Sequence, residues 1–201
     1  MQNIERILVY HFTNIQNLES IIEYGLSADN CIHQDLYINS GNINIKNIRK
    51  EKLIYKKRYV GDHVPFYFAP RSPMMFYLWC NNYIKNKYIV YIVGDALELS
   101  RKYEWCCSNI NAAKDNAKFY FSIDDMKNNI DWSIMNCKYW NDTDEFPDRK
   151  ALRMAECLVY KKIKFDDLIG LATYDYDVCE YLKNKYGTKI KYIKQKTAWY
   201  F

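Results

Sequence analysis

The sequence of 201 residues predicts an α+β fold in one domain spanning residues 1–201. Short β-branched and aromatic runs, typical of strands, are scattered among short amphipathic segments typical of helices. They do not alternate regularly, as a parallel α/β sheet would require. No internal repeat or linker divides the chain, and 49% of the residues are hydrophobic. The chain can therefore bury one full core.

The first predicted elements are a strand at residues 6–12 and a helix that ends at Gly25. The strand has β-branched and aromatic side chains, and Thr13 is expected to cap the helix that follows. His11 thus ends the strand just before a helix N-terminus. It is either a partly buried histidine bonded to the backbone or a site residue. Residues 26–44 have weak periodicity and predict a long loop or a lid over a site.

Residues 64–76, VPFYFAPRSPMMF, contain three of the four prolines. Proline restricts its own φ and the conformation of the preceding residue, so this backbone is stiff. We predict a buried strand at residues 66–68, a rigid loop presenting Arg71 and Ser72, and a helix at residues 74–79. A rigid loop of this kind is either a site or a structural corner with Arg71 in an ion pair.

The remaining elements follow the same patterns of strand and helix. Strands are predicted at 88–93, 105–108, 169–173 and 189–193, and helices at 97–103, 124–137 with a break near Asn129, and 177–186. A polar loop covers residues 109–113. Residues 138–150, KYWNDTDEFPDRK, have no period and predict a large surface loop.

Glu156 interrupts the apolar run ALRMAECLVY. A buried carboxylate without a partner costs several kcal/mol, so this one needs a partner or a function. The alternative is that the run alternates along a strand and Glu156 points to water. The residues alone leave both interpretations open.

Positive charge is concentrated in one segment, because residues 46–58 hold seven cations against the single acid Glu51, a net +6. The whole chain carries +5, so the remainder is close to neutral. A solvated basic face is one interpretation. Tyr55 and Tyr59 favour another, single-stranded nucleic acid, because phosphate neutralisation and base stacking need both side-chain types.

The seven cysteines form no C-x-x-C pair, which favours free thiols in a reducing cytoplasm. The histidines His11, His33 and His63 have no second ligand at a metal-binding spacing, so we expect no metal. The N-terminus lacks the apolar core of a signal peptide, and no run is long enough to cross a bilayer. We expect a cytoplasmic monomer.

Several motifs together resemble the DarT family of DNA ADP-ribosyltransferase toxins. They are YHFTN with LESIIEYGL, the segment 45–49, VPFYFAPRSPMMF, SNINAA, IDW followed by YW, and AECLVYK, in the family's order over essentially the whole chain. The resemblance implies an ADP-ribosyltransferase-like fold, with a central split β-sheet flanked by short helices. It also implies NAD as the donor and, as the acceptor, a thymine base in a short sequence context of single-stranded DNA. A macrodomain antitoxin would remove the modification.

The resemblance also implies roles for individual residues. Glu156 and Arg49 would be catalytic, and the loop 138–150 would recognise the substrate. We assign the NAD pocket to His11, Thr13, Tyr67, Arg71 and Ser72, of which Arg71 and Ser72 alternatively hold the DNA backbone. For DNA binding we assign Lys50, Lys56, Lys57, Tyr139, Trp140 and Arg149. Family members often have adjacent arginines near Arg49, so a shifted register would make Arg58 the candidate.

The predicted chemistry suits these residue types. Cleavage of the nicotinamide glycosidic bond creates positive charge on the ribose, which a carboxylate stabilises. Thymine is a poor nucleophile until a base removes its ring proton, so Glu156 could serve both steps. Two alternatives remain at this stage. One is transfer to guanine, RNA or protein, and the other is a non-catalytic module that binds single-stranded nucleic acid.

Overall fold

The computed structural model describes residues 6–31, 37–39 and 41–201. Twelve strands lie in these ranges: β1 Leu8–Asn14, β2 Leu26–Ser27, β3 Leu53–Tyr55, β4 Arg58–Tyr59, β5 His63–Tyr67, β6 Ile89–Asp95, β7 Trp105–Ser108, β8 Phe119–Tyr120, β9 Glu156–Tyr160, β10 Lys162–Ile163, β11 Gly170–Thr173 and β12 Tyr192–Gln195. Eight α-helices accompany them: α1 Leu18–Tyr24, α2 Ile43–Glu51, α3 Pro73–Cys80, α4 Ala96–Lys102, α5 Ile123–Asn129, α6 Trp132–Asn136, α7 Arg149–Leu152 and α8 Tyr176–Tyr186.

Eight of the strands form one sheet that is divided into two halves. The strand order is β12-β11-β6-β1 in one half and β5-β9-β7-β8 in the other. Strands β1 and β6 pair over seven residues, and β5 and β9 over five. Between the halves, β1 and β5 share a single register pair, Tyr10 with Tyr67. The predicted α+β class and the split central sheet are thus confirmed.

Proline explains why the two halves separate at this point. Pro65 lies in the middle of β5 and has no N–H to donate to a neighbouring strand. Its carbonyl oxygen instead accepts a hydrogen bond from the side chain of His11 on β1, with Nδ1 and the oxygen 2.8 Å apart. A side chain therefore replaces part of the backbone ladder, and the two strands diverge around it.

The sheet is buried through its middle, and this fixes the strands that line the split. All seven residues of β6 are buried, as are Val9 on β1 and Val64 and Phe66 on β5. Helices α1 and α8 contribute Leu18, Ile21 and Leu182 to the same core. The predicted buried strand at residues 66–68 overlaps the end of β5, and the predicted helix at 74–79 lies within α3.

Two local expectations were wrong. Thr13 does not cap a helix, because β1 continues to Asn14, whose side-chain oxygen accepts the N–H of Gln16 at 2.9 Å. The last strand begins at Tyr192 rather than at residue 189. The N–H groups of Lys189 and Ile190 still bond to the carbonyl of Tyr186 at the end of α8, and parallel pairing with β11 starts only at Tyr192.

The described ranges bear on membrane insertion, metal binding and the state of the cysteines. No helix in these ranges is both long and apolar enough to span a membrane. The same ranges hold no group of three or more potential metal ligands. All seven cysteines are free thiols, four of them buried, while Cys31 and Cys80 are exposed. His33 and part of the predicted lid, residues 32–36 and 40, lie outside the described residues.

Candidate active site

A cleft opens where the two halves of the sheet diverge. Its empty volume is about 750 Å³, part of it open to solvent. Strands β1, β2, β5 and β9, helices α2 and α3 and the adjoining loops contribute the lining residues: His11, Phe12, Ser27, Asp29, Tyr37, Gly41, Asn42, Ile45, Lys46, Arg49, Pro65, Tyr67, Met74, Asn111 and Glu156. Four of the predicted site residues, His11, Arg49, Tyr67 and Glu156, therefore converge here from distant parts of the chain.

Glu156 lies at the inner end of the cleft and is 1% exposed. It is the first residue of β9, paired in register with Tyr67 of β5 on one side and Ser108 of β7 on the other. The alternative in which Glu156 points to water is excluded. Its Oε1 accepts the backbone N–H of Ala112 at 2.9 Å, so the loop after β7 holds the carboxylate in place.

Arg49 is the charged partner of Glu156. Its Nη1 donates to both carboxylate oxygens, at 3.0 and 2.8 Å. Helix α2 carries Arg49 in its last turn and is capped at its other end by the side chain of Asn42. Arg58, the alternative from a shifted register, pairs with Glu104 at 2.9 Å instead. The Nη2 of Arg49 is buried without a hydrogen-bond partner among the described residues, so one guanidinium nitrogen has donor capacity left for a substrate.

His11 lines the cleft beside this pair as a neutral ring. A carbonyl oxygen can only accept, so the bond to Pro65 places the proton on Nδ1 and leaves a lone pair on Nε2. Burial lowers the pKa of His11 from 6.5 to about 4, an effect only partly offset by the hydrogen bond to Pro65. Nε2 is buried and has no partner among the described residues. It is therefore an acceptor that suits a hydroxyl group.

Tyr67 and Phe12 form an aromatic wall of the cleft. Their ring centroids are 6.2 Å apart and the ring planes differ by only 9°. Burial raises the pKa of Tyr67, and the negative charge of Glu156 raises it further, so the phenol keeps its proton. The wall offers flat apolar surface together with one hydroxyl group, which suits a planar heterocyclic ring.

Thr13 lies behind the cleft wall, where it supports the segment that precedes α2. Its hydroxyl accepts a hydrogen bond from Asn17 at 2.9 Å and lies 3.1 Å from the hydroxyl of Tyr37. Asn17 in turn bonds to both the N–H and the carbonyl of Ile38, each at 2.8 Å. Tyr37 and Ile38 of the predicted lid are therefore held by hydrogen bonds to β1 and to the turn before α1.

The basic segment is less continuous than the sequence suggested. Arg49 is buried, Lys46 pairs with Asp29 at 2.7 Å, and Arg58 pairs with Glu104. Within the described residues, Lys50, Lys56 and Lys57 take part in no ion pair. Lys56 and Lys57 form the two-residue tip of the β3–β4 hairpin, with φ values of 41° and 64°.

The loop 138–150 is largely exposed, but its two neighbouring aromatic residues, Tyr139 and Trp140, differ in exposure. Tyr139 is 69% exposed, whereas Trp140 is 6% exposed and packs against Phe76 at 6.0 Å between ring centroids. Trp140 thus anchors the loop and cannot stack on a base in this conformation. Arg149 folds back inside the loop, donating to the carbonyl of Tyr139 at 2.6 Å.

Ser72 and Arg71 lie at the start of α3. Ser72 is buried and caps the helix, its hydroxyl accepting the N–H of Met75 at 3.2 Å. Arg71 lies outside the set of residues that line the cleft, and its guanidinium carbon is 4.6 Å from the ring centroid of Phe201. The sequence also allowed a structural ion pair for Arg71, but Arg71 has no carboxylate partner among the described residues.

Sequence reasoning assigned no role to several residues that build the site. Asn111 lines the cleft, and its side-chain oxygen accepts the N–H of Ala113 at 2.8 Å, which shapes the loop that reaches Glu156. Arg153 is buried and donates to four carbonyls, those of Ile134, Met135, Cys137 and Pro70. The sequence signal for this role was a charged residue, Arg153, three positions before Glu156 in a mostly apolar run.

Comparisons with known proteins agree with this geometry. The family model for DarT, described as ssDNA thymidine ADP-ribosyltransferase, matches residues 10–201. The chain belongs to the DarT family. A DNA ADP-ribosyl transferase of Mycobacterium tuberculosis H37Rv is 31% identical over 172 residues, which cover 79% of this chain and 73% of that protein.

Solved structures of the DarT family share the fold. Thermus sp. 2.9 DarT in complex with ADP-ribosylated ssDNA superposes with a TM-score of 0.86 at 23% identity, covering 98% of this chain and 97% of that one. The same Thermus protein has also been solved in complex with NAD+. A Thermosipho africanus relative, 28% identical, is a DNA ADP-ribosyl transferase-DNA ADP-ribosyl glycohydrolase fusion protein; the match covers 87% of this chain and 44% of the fusion.

These findings confirm the predicted family, fold and enzyme class, a DNA ADP-ribosyltransferase. They leave the assignment of individual residues as predictions. The structure brings His11, Tyr67, Arg49 and Glu156 together in one cleft and places Thr13, Arg71 and Ser72 around it. It places the predicted DNA-binding residues outside the set that lines the cleft.

Proposed function

We propose that this chain transfers ADP-ribose from NAD to a thymine base in single-stranded DNA, with Glu156 and Arg49 as the catalytic residues. The observation that carries the proposal is the buried Arg49–Glu156 pair at the inner end of an open cleft. A buried ion pair is a poor source of stability, because the desolvation of both charges offsets their attraction. Its presence beside a cavity is better explained by chemistry on a bound substrate.

Glu156 stabilises the positive charge that develops when NAD is cleaved. The bond between the ribose C1′ and the nicotinamide nitrogen breaks, its electron pair leaves with neutral nicotinamide, and the ribose acquires oxocarbenium character. A carboxylate fixed by Arg49 and the N–H of Ala112 needs no reorganisation to face that charge. The low polarity around a carboxylate that is 1% exposed strengthens the interaction.

The acceptor nitrogen must lose a proton as the new bond forms. Thymine keeps its ring N–H at neutral pH, so attack on C1′ requires a base at that nitrogen. Glu156 is the carboxylate that the cleft offers beside Arg49, and it takes this proton in the proposed scheme. The unpartnered Nη2 of Arg49 then donates to the carbonyl oxygen on which the thymine anion places its charge.

The other cleft residues hold NAD in position for this reaction. The Nε2 lone pair of His11 accepts a ribose hydroxyl, since neutral imidazole is fixed in that tautomer by Pro65. The rings of Phe12 and Tyr67 support the nicotinamide ring. Lys46, which lines the cleft while paired with Asp29, is the cation that we assign to the pyrophosphate.

The DNA strand is proposed to approach along residues that border the cleft. Lys50 at the end of α2 and the hairpin tip of Lys56 and Lys57 supply positive charge. The loop 138–150 is proposed as the substrate-recognition loop, with Tyr139 as its exposed aromatic residue and Arg149 bracing the backbone at Tyr139. A single domain over residues 1–201 then contains both substrate sites.

We further propose that the reaction takes place in the cytoplasm and is reversed by a DNA ADP-ribosyl glycohydrolase with a macrodomain. Free thiols throughout the chain suit a reducing compartment. The fused Thermosipho relative joins both activities in one polypeptide. Modified template bases block copying, so the enzyme without its antagonist is expected to be toxic.

Mass spectrometry of oligonucleotides tests the proposed acceptor. The protein is incubated with NAD and a panel of single-stranded DNAs, each with one thymine in a different context. Matched controls replace that thymine by cytosine, which has no ring N–H to lose, and repeat the sequence as RNA. We expect one ADP-ribose on thymine-containing DNA alone. Modification of the cytosine or RNA controls, or consumption of NAD with no added mass on DNA, would contradict the proposed acceptor.

A further inference from the structure

Four aromatic rings form a continuous cluster beside the cleft, which we call the aromatic platform: Phe76, Trp79, Trp140 and Phe201. The ring of Phe76 lies 5.0 Å from Phe201 and 6.0 Å from Trp140, and Trp79 lies 6.0 Å from Phe201, between centroids. Trp140 is buried beneath the cluster. Phe76 and Trp79 are 40% and 37% exposed and lie next to each other, so together they present an apolar surface to solvent.

Arg71 adds a cation to this platform. Its guanidinium carbon lies 4.6 Å from the ring centroid of Phe201, and within the described residues it has no carboxylate partner. The Nε is buried without a hydrogen-bond partner in the same ranges. The backbone of Arg71 has φ of 56°, a conformation that residues other than glycine rarely adopt, and the Tyr91 hydroxyl accepts its N–H at 3.1 Å. Strain of this kind is characteristic of functional sites.

The cleft and the platform share helix α3. Met74, in the first turn of α3, lines the cleft, and the same helix carries Phe76 and Trp79. Trp140 belongs to the loop 138–150, the proposed recognition loop, and Arg153 ties the segment before this loop to Pro70, next to Arg71. A strand that leaves the cleft along α3 therefore meets exposed aromatic rings and an arginine without a carboxylate partner.

We propose that the aromatic platform and Arg71 form a subsite for a nucleotide that flanks the modified thymine in single-stranded DNA. The flanking base stacks on Trp79, and the phosphate next to it receives hydrogen bonds from Arg71. Stacking on aromatic rings tolerates any base, so the subsite fixes the strand without reading its sequence. The inference rests on the proposed function, because it extends the path of the same acceptor strand.

Nucleic acid suits this surface better than a protein partner. The arginine and the rings lie side by side, which is the pairing of phosphate anchor and stacking surface that single-strand binding needs. Lys138, whose ammonium lies 5.3 Å from the ring centroid of Tyr139, adds positive charge on the adjoining loop.

Steady-state kinetics with two sets of oligonucleotides test the inference. One set ends close to the modified thymine, and the other extends by several nucleotides on either side. The variants are Trp79→Ala and Arg71→Gln, and the control is Tyr181→Ala, which removes a ring 55% exposed on α8. We expect Trp79→Ala and Arg71→Gln to raise the KM for the extended DNA about 5-fold or more. The KM for the short DNA should change much less, and Tyr181→Ala should change neither.

Three results would overturn the inference while leaving the proposed function intact. The first is an equal KM for extended DNA in Trp79→Ala and wild type. The second is an Arg71→Gln variant in which the KM for NAD rises and that for DNA does not, because Arg71 would then belong to the NAD pocket. The third is an unchanged KM for DNA with lost binding of a DNA ADP-ribosyl glycohydrolase, which would make the platform a protein interface. Failure of the wild type to modify DNA would instead refute the proposed function.

Discussion

Nη1 of Arg49 lies 3.0 and 2.8 Å from the two carboxylate oxygens of Glu156, across 107 residues of sequence. The pair joins the end of α2 to the first residue of β9 and closes the inner end of the cleft. Both side chains are nearly inaccessible, at 7% and 1% exposure. Each buried charge is therefore stabilised by the opposite charge of its partner.

This coupling predicts how variants of the pair behave in unfolding experiments. Arg49→Met leaves a buried carboxylate without its cation and should lower the free energy of unfolding by about 3–5 kcal/mol. The double variant with Glu156→Leu removes both charges and should be clearly more stable than Arg49→Met alone. Urea unfolding measures the coupling energy.

The exposed pair of Glu98 and Arg101 provides the control, since its side chains are 52% and 68% exposed. Its coupling energy should stay below about 1 kcal/mol. If the losses of unfolding free energy in the single variants at Arg49 and Glu156 simply added in the double variant, the two side chains would not interact.

The neutral state of His11 predicts a dependence of stability on pH. Burial lowers its pKa to about 4 in the folded protein, whereas the unfolded chain titrates near 6.5. Between these values the unfolded chain binds a proton that the folded protein does not. The free energy of unfolding should therefore fall as the pH decreases from about 6.5 to about 4, by on the order of 2–3 kcal/mol from this residue, and not fall further on its account below that.

The variant His11→Asn isolates this contribution, because asparagine can still donate to Pro65 but does not titrate. The difference in unfolding free energy between pH 7 and pH 4.5 should shrink relative to wild type. His63 also has a lowered pKa through burial, so His63→Asn is a parallel variant whose effect should be separate and additive. An unchanged difference in His11→Asn would contradict the assignment of a buried neutral ring.

The hairpin tip predicts a change in the salt dependence of DNA binding. Lys56 and Lys57 both have positive φ, which Asn-Gly adopts more readily, so Lys56→Asn with Lys57→Gly should preserve the hairpin while removing two charges. If both lysines contact phosphates, the slope of log K against log salt should become shallower by about 1.4.

Lys189→Asn with Lys191→Asn removes the same charge from another exposed surface and is the matched control. Its salt slope should equal that of wild type, as should its thermal stability. Equal slopes for the hairpin variant and the control would mean that Lys56 and Lys57 do not contact the DNA.

Some of the site could be predicted from residue patterns, because the physical cause was local. Glu156 stands out as a carboxylate in an apolar run, and it is buried with a charged partner. The stiff segment 64–76 predicted a strand, a loop and a helix, since proline restricts the backbone wherever it occurs. The break in the helix at 124–137 is likewise visible, and α5 and α6 are separated there.

Other features depend on contacts between distant residues, so the sequence does not reveal their partners. The hydrogen bonds of Arg153 require the carbonyls of residues 134, 135, 137 and 70, which come together only in the fold. The burial of Trp140 depends on Phe76 and Phe201 in the same way. The capping error at Thr13 arose because Thr13 and Asn14 are both good caps, and the length of β1 decides between them.

The most direct test of the account is the yield of ADP-ribosylated oligonucleotide, measured by mass spectrometry for wild type, Glu156→Gln and a matched control, Glu104→Gln. Glutamine keeps the shape of the side chain and removes its charge, so loss of electrostatic stabilisation should reduce the rate of transfer by about 100-fold or more. Glu104 pairs with Arg58 away from the cleft, and its variant should transfer at the wild-type rate. The result predicted is one ADP-ribose on thymine-containing DNA with wild type and Glu104→Gln and almost none with Glu156→Gln. Near-full transfer by Glu156→Gln in a folded protein would show that the Glu156 carboxylate is not catalytic.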